Sequence, residues 1–172
     1  MSHEGRLSPA EAAEVLKRSQ PIPVERGSSP VSVAAIEGTT LAGEPTMRLV
    51  LPIDRPTLLL FLSATCGGCA DLFAAAQPSA TIFDGEALDV LIVLRDDDPM
   101  LADLVAGAHH VVAPSAWSTY RVSGAPFFSL VLPGLSTVAT EGVAWGAEAV
   151  AECVSRALGG DLDVDVPRLV AD

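Results

Sequence analysis

Two cysteines, Cys66 and Cys69, are separated by two residues at the end of an apolar run, in the segment LLLFLSATCGGCADLFAAA. Thiols at this spacing can form a reversible disulfide and exchange it with another dithiol. The apolar run predicts a buried strand, and the residues from Cys66 to Gln77 predict a helix that Pro78 ends. Unpaired N–H groups and the dipole at the start of a helix favour a thiolate. We therefore expect Cys66 to be the exposed nucleophile and Cys69, more buried, to be the resolving thiol.

The same cysteine spacing also occurs in half of a zinc site, which needs further Cys or His ligands. The candidates are His3, His109, His110 and Cys153, and two adjacent histidines on a strand point apart. Three cysteines are too few for a four-cysteine iron–sulfur cluster within one chain. Cys153 lies among apolar neighbours in a predicted amphipathic helix, so we expect it to be buried and inert. These residues favour a redox pair with no metal and no organic cofactor.

The composition indicates one globular domain with an acidic surface. The chain has 172 residues, 49% of them hydrophobic, and a formal net charge of −12. It is therefore long and apolar enough to bury a sizeable core. No basic cluster is present to neutralise phosphates, which argues against nucleic-acid binding. No segment approaches the roughly 20 apolar residues of a membrane span.

The remaining segments predict strands and helices in alternation around the cysteines, within a main domain over 30–160. An N-terminal helix and linker, 1–29, precede this domain, and an acidic tail, 161–172, follows it. Strand–helix–strand alternation implies parallel pairing, and a final hairpin around Pro133 and Gly134 adds antiparallel strands. We expect an α/β domain in which a mixed sheet carries helices on both faces. The predicted strands are 31–38, 46–52, 55–63, 87–95, 109–114, 126–134 and 136–143, and the predicted helices are 7–19, 66–77, 96–107, 115–122 and 147–160.

Three segments in this order resemble the thioredoxin superfamily over roughly residues 30 to 159. LLLFLSATCGGCADLF is similar to its strand–CxxC–helix unit, YRVSGAPFFSLVLPG to its proline-then-strand unit, and STVATEGVAWGAEAVAECVSRAL to its last strand and helix. The two extra N-terminal strands resemble the TlpA-like and methylamine-dehydrogenase-maturation branch. The resemblance implies a thioredoxin fold, a mixed central sheet flanked by helices, with an additional N-terminal β-hairpin and short helix.

The compartment stays open at this point. The first 20 residues lack the apolar middle of a signal peptide, so the chain as given is expected to be cytoplasmic. Members of the branch it resembles are often membrane-tethered and extracytoplasmic, and this chain would be so if a native anchor or signal had been removed.

The resemblance also implies a substrate-binding surface. In this family the proline that precedes the strand, here Pro126, follows a cis peptide bond and lies against the two sulfurs. The backbone of Ala125 would pair with an incoming peptide as an added strand. Thr65, which stands where the family usually has Trp, and Gly67 and Gly68 would complete the surface without bulk. A proline that merely starts a strand is the alternative for Pro126.

These features predict a thiol–disulfide oxidoreductase that exchanges electrons with protein dithiols or disulfides through Cys66 and Cys69. Its partners would be client proteins and a redox partner protein. The alternative is a thioredoxin-like binding or maturation module with little or no redox turnover. Thr65 in place of Trp, and a strand before the cysteines that contains no acid, favour the alternative. A peroxidase of the peroxiredoxin kind would need Pro and Thr where Leu59 and Ser63 stand.

Overall fold

The structure, a computed structural model, describes residues 29–83 and 88–159. The predicted helix at 7–19 and the acidic tail at 161–172 lie outside the described residues. Seven strands form one sheet within them, in the order β2-β1-β5-β4-β3-β6-β7. The strands are β1 (Ile36–Thr39), β2 (Pro45–Leu49), β3 (Thr57–Leu62), β4 (Asp89–Leu94), β5 (His110–Val112), β6 (Phe127–Val131) and β7 (Thr140–Val143), and the helices are α1 (Ala70–Ala75), α2 (Pro114–Thr119) and α3 (Ala147–Gly159).

Strand β3 forms the centre of the sheet, as its uninterrupted apolar sequence predicted. It pairs in parallel with β4 along its whole length and antiparallel with β6. Every residue of β3 is buried. Burial of one such aliphatic side chain contributes roughly 2 kcal/mol relative to exposure, so this strand supplies much of the apolar core.

Alternate residues of β3 face two separate apolar layers, which confirms the prediction of helices on both faces. Leu58, Leu60 and Leu62 contact the layer that contains α1 and α3. Leu59 and Phe61 contact the layer that contains α2. The period of two residues along a strand produces this division.

An N-terminal hairpin, β1–β2, extends the sheet beyond β5, as the two predicted strands implied. The sequence predicted the first strand over 31–38, but β1 begins at Ile36, and Ser32 forms only an isolated bridge with Thr137. Strand β1 joins β5 through the pair Thr39 and Val112. The segment between β2 and β3 contains a cis peptide bond, Leu51–Pro52, that sequence analysis did not predict.

The helix predicted over 96–107 is wrong. A single 3-10 turn, Pro99–Leu101, forms there, and the Asp98 carboxylate accepts a hydrogen bond from the Met100 N–H group. Turns follow, so Leu101 and Val105 are buried without a regular helix. Two apolar residues four positions apart fit a helix or a series of turns equally well, so the pattern did not distinguish them.

Tyr120 connects the end of α2 to the segment before β1. Its hydroxyl donates a hydrogen bond to the Ala34 carbonyl at 2.6 Å and accepts one from the Ala34 N–H at 3.1 Å. The side chain is fully buried. Burial raises the pKa of the Tyr120 hydroxyl, and the hydrogen bond to Ala34 opposes this only in part.

We expect Gly38→Ala to destabilise the protein by roughly 2 kcal/mol, because an added methyl group would overpack the junction of β1 and β5. A Cβ atom on Gly38 would overlap the Val112 carbonyl oxygen and lie 2.9 Å from Val111 Cγ2. Urea unfolding measures the change. Gly124→Ala is the matched control, since no atom lies within 4 Å of its added Cβ. Equal losses in the two variants would contradict the steric explanation.

Tyr120→Phe is expected to cost about 1–3 kcal/mol, because both backbone groups of Ala34 lose their partner. The raised pKa of Tyr120 also predicts a pH dependence of stability.

The neutral Tyr120 hydroxyl stabilises the folded protein fully below the unfolded-state tyrosine pKa, about 10. This contribution is lost as the pH rises through the folded-state pKa. Tyr120 is the only tyrosine in the chain, so tyrosinate absorbance reports it alone. Ionisation at the same pH in native buffer and in urea would refute this expectation.

Candidate active site at the end of the central strand

The two cysteines lie in a turn between the end of β3 and the start of α1. Cys66 and Cys69 form a disulfide, with their Cα atoms 5.4 Å apart. The Cys66 N–H donates to the Ser63 carbonyl, and the Cys69 N–H donates to the Cys66 carbonyl at 3.2 Å. The two cysteines, whose spacing predicted a redox pair, therefore form a disulfide with each other.

The predicted helix start at Cys66 is wrong. Helix α1 begins at Ala70, and Cys69 is its N-cap residue. The intervening Gly67 and Gly68 disfavour a helical first turn, since each glycine loses more backbone entropy in a helix than alanine does. Cys66 therefore lies before the helix rather than in its first turn, and the dipole argument does not apply to it as predicted.

The two sulfur-bearing residues differ in burial, as expected for an exposed and a buried thiol. Cys69 is 1% exposed and belongs to the apolar layer formed with α1 and α3. Cys66 is half-buried and only borders that layer. Thr65, Gly67 and Gly68 are exposed around it. Another molecule can therefore approach Cys66 without displacing core side chains.

Pro126, far from the cysteines in sequence, lies against their turn. The Ala125–Pro126 peptide bond is cis, as the resemblance implied. A Cβ atom on Gly68 would lie 3.6 Å from Pro126 Cγ, which is ordinary van der Waals contact. The Pro126 carbonyl accepts a hydrogen bond from the Ala144 N–H, and Pro126 directly precedes β6.

Ala125 directly precedes Pro126 and is the residue whose backbone was predicted to pair with a peptide. Its side chain contacts both apolar layers. Within the described part of the chain, neither its N–H nor its C=O group is hydrogen-bonded. An extended peptide needs such free groups in order to pair with an existing backbone.

Sequence analysis missed Asp71, which connects α1 to α3. The Asp71 Oδ2 atom accepts a hydrogen bond from the Ala147 N–H at 2.9 Å, and Ala147 is the first residue of α3. A carboxylate in this place satisfies an N–H group that has no partner inside the helix and complements its dipole. The helix after the cysteines is thereby fixed to the last helix of the domain. No local signal in the sequence pairs these two residues.

The other Cys and His candidates lie apart from one another. In the ranges that the structure describes, no three His, Cys, Asp or Glu side chains are grouped as a metal site requires. His109 is exposed, and His110 Nδ1 lies 3.1 Å from the Ala108 carbonyl oxygen. Cys153, expected to be buried, is half-buried on α3. Burial raises the pKa of the Cys153 thiol, Arg156 opposes the shift, and Glu152 adds to it.

Comparison with known proteins identifies the fold. No protein-family model matches this sequence, and no curated protein matches it. A thiol:disulfide interchange protein from Bacteroides sp. is 15% identical, with a TM-score of 0.55 over 83% of this chain and 93% of its own. The thioredoxin domain of a thiol-disulfide oxidoreductase from Bacteroides vulgatus is 17% identical, with a TM-score of 0.57 over 76% and 98%. The peroxidoxin BcpB from Mycobacterium tuberculosis is 16% identical, with a TM-score of 0.58 over 78% and 98%.

These similarities confirm the predicted fold class, since each extends over most of both chains. None of the helices in the described residues is long and apolar enough to cross a bilayer. The chain has a thioredoxin fold, with the additional hairpin β1–β2 on one side of the sheet.

We expect the three thiols of the reduced protein to react with iodoacetamide at different rates. Cys66 should be modified first, Cys69 slowly because it is 1% exposed, and Cys153 mainly above its ordinary titration range because its pKa is raised. Peptide mass spectrometry over time and pH gives the three rates. In urea the rates should converge, because burial no longer separates them. Modification of native Cys69 as fast as Cys66 would contradict the assigned order of exposure.

Proposed function

We propose that this protein is a thiol–disulfide oxidoreductase that acts on protein dithiols and disulfides. The observation that carries this proposal is the disulfide between a half-buried Cys66 and a buried Cys69 in a turn that lies against Pro126. A structural disulfide would not need an accessible sulfur beside an open backbone segment. An exchanging disulfide needs the accessible sulfur, because the attacking thiolate must reach it in line with the bond that breaks. The open backbone segment offers a place for an extended client to bind.

The exchange proceeds in two balanced steps. In the reduced protein, the Cys66 thiolate attacks a client disulfide, and one client sulfur leaves as a thiolate that takes a proton from water. The Cys69 thiolate then attacks Cys66 Sγ in the mixed disulfide and releases the second client sulfur. Two electrons pass to the client, and the protein ends with the Cys66–Cys69 disulfide. The reverse sequence oxidises a client dithiol, and a redox partner protein restores the starting state.

The residues around the sulfurs orient the client. The free N–H and C=O groups of Ala125 pair with an extended client segment, and Pro126 sets the position of that segment against the cysteine turn. Thr65, Gly67 and Gly68 form an exposed rim that leaves room for the client backbone. Exchange between sulfurs requires no metal and no organic cofactor.

Two of the structural neighbours support this proposal through their own descriptions. The Bacteroides sp. protein is a thiol:disulfide interchange protein, and the Bacteroides vulgatus protein is a thiol-disulfide oxidoreductase. The hairpin β1–β2 supports placement in the TlpA-like branch, whose members carry additional strands before the cysteines.

A binding or maturation module with little redox turnover is the second candidate. The observation that favours it is the composition of β3, which contains no ionisable side chain behind the sulfurs. Slow proton transfer would then limit exchange. Such a module would hold its client at Ala125 and Pro126 whether or not Cys66 reacts.

Substitution of each cysteine by serine distinguishes the two candidates. Cys66→Ser should abolish reduction of a disulfide-linked peptide dimer, because the attacking thiolate is gone. Cys69→Ser should accumulate a mixed disulfide between Cys66 and the peptide, because nothing resolves it. Released peptide thiol and non-reducing gels measure these outcomes, and circular dichroism verifies that each variant is folded.

Cys153→Ser is the matched control, since Cys153 is a half-buried thiol outside the turn. This variant should reduce the peptide as the wild type does. Undiminished reduction by Cys66→Ser, or no mixed disulfide with folded Cys69→Ser, would refute the oxidoreductase and favour the binding module.

A further inference from the structure

A cleft of about 430 Å³ opens beside Pro126. It lies on the opposite side of the sheet from the apolar layer that contains Cys69, α1 and α3. Phe127 and Val143, which belong to the layer that contains α2, form its apolar wall. Arg121 and Ser123 line it as well. A client segment paired with the residue before Pro126 would run past this cleft. A side chain near the client cysteine would then enter it.

Arg121 has an unusual backbone conformation. Its φ angle is 55°, and every other described residue with positive φ is a glycine. It follows α2 in a Schellman motif, in which the Arg121 N–H donates to the Ser118 carbonyl and the Val122 N–H donates to the Trp117 carbonyl. Glycine is the usual residue at this position, because a Cβ atom is unfavourable there. An arginine therefore occupies a place where glycine would favour stability.

The Arg121 guanidinium makes no ion pair with a carboxylate in the described ranges. It is exposed, and its Nη1 donates one hydrogen bond to the Ser29 carbonyl. Arg55 and Arg156 differ, since they pair with Asp89 and Glu152. A guanidinium carries five N–H donors in a planar fork that matches a carboxylate. Arg121 therefore has donor capacity at a cleft that Pro126 also lines.

We propose that Arg121 is a specificity-determining residue that binds a side-chain carboxylate adjacent to the reacting cysteine of the client. This inference rests on the proposed function and names the chemistry of its client segment: a cysteine flanked by Asp or Glu. The net charge of −12 repels acidic partners at long range. The Arg121 guanidinium in the cleft beside Pro126 offsets that repulsion locally, so it favours one register of an acidic segment.

The test uses disulfide-linked dimers of three short peptides that differ only in the residues on both sides of cysteine, which are Glu, Gln or Lys. The full-length reduced protein is mixed with each dimer, and released peptide thiol gives the rate. Arg121→Gln should lower the ratio of the Glu-peptide rate to the Gln-peptide rate about fourfold, the range expected of an exposed ion pair. The same substitution should raise the relative rate of the Lys peptide. The effect should diminish at high salt, because ions screen exposed charges.

Arg48→Gln is the matched control, because it removes an equal charge from an exposed arginine on β2, at the opposite edge of the sheet. Its rate ratio should equal that of the wild type. Arg121→Gly should lower the ratio as Arg121→Gln does and should melt no lower than the wild type, since glycine suits the positive φ angle.

Two results would overturn the inference while leaving the oxidoreductase in place: an unchanged ratio in Arg121→Gln, or an equal fall in Arg48→Gln, which would show a general charge effect. Failure of the wild type to reduce any of the three peptides would refute the proposed function and, with it, this inference.

Discussion

Burial of β3 on both faces is the constraint on which the site depends. Its residues, Thr57–Leu62, alternate between two apolar layers, and a slip of one residue would exchange the two sets of side chains. Pairing with β4 and β6 fixes its register. The end of β3 at Leu62 is therefore fixed in space, and this determines where the cysteine turn that follows it begins.

Antiparallel pairing of β3 with β6 explains why two distant segments meet at the sulfurs. Phe61, near the end of β3, lies opposite Phe127, the first residue of β6. The residue before that strand, Pro126, must then lie at the same end of the sheet as the cysteine turn. Asp71 completes the arrangement, because its hydrogen bond to α3 fixes the helix that follows the turn. The division into one accessible and one buried sulfur follows from this geometry, and the proposed exchange reaction uses it.

Several residues at this end of the sheet leave the surface around Cys66 open at a local cost in stability. Gly67 and Gly68 shorten α1, since they disfavour a helical turn between the cysteines. Arg121 occupies a left-handed conformation where glycine would be less strained. Such local costs are common where a surface must remain open to a partner. The compensating stability comes from the two apolar layers, whose packing does not involve the exposed side chains at this end of the sheet.

The sequence alone determined those features that depend on neighbours along the chain. The apolar run of β3, the hairpin around Pro133 and Gly134, the amphipathic α3 and the spacing of the two cysteines were all predicted correctly. The cis bond before Pro126 followed from resemblance to a family rather than from local chemistry. Tertiary structure alone decided the single 3-10 turn within 96–107, the capping contact of Asp71 and the left-handed Arg121. Hydrophobic periodicity shows which face of a segment is buried, but contacts between distant segments depend on strand register and layer packing, which no local pattern encodes.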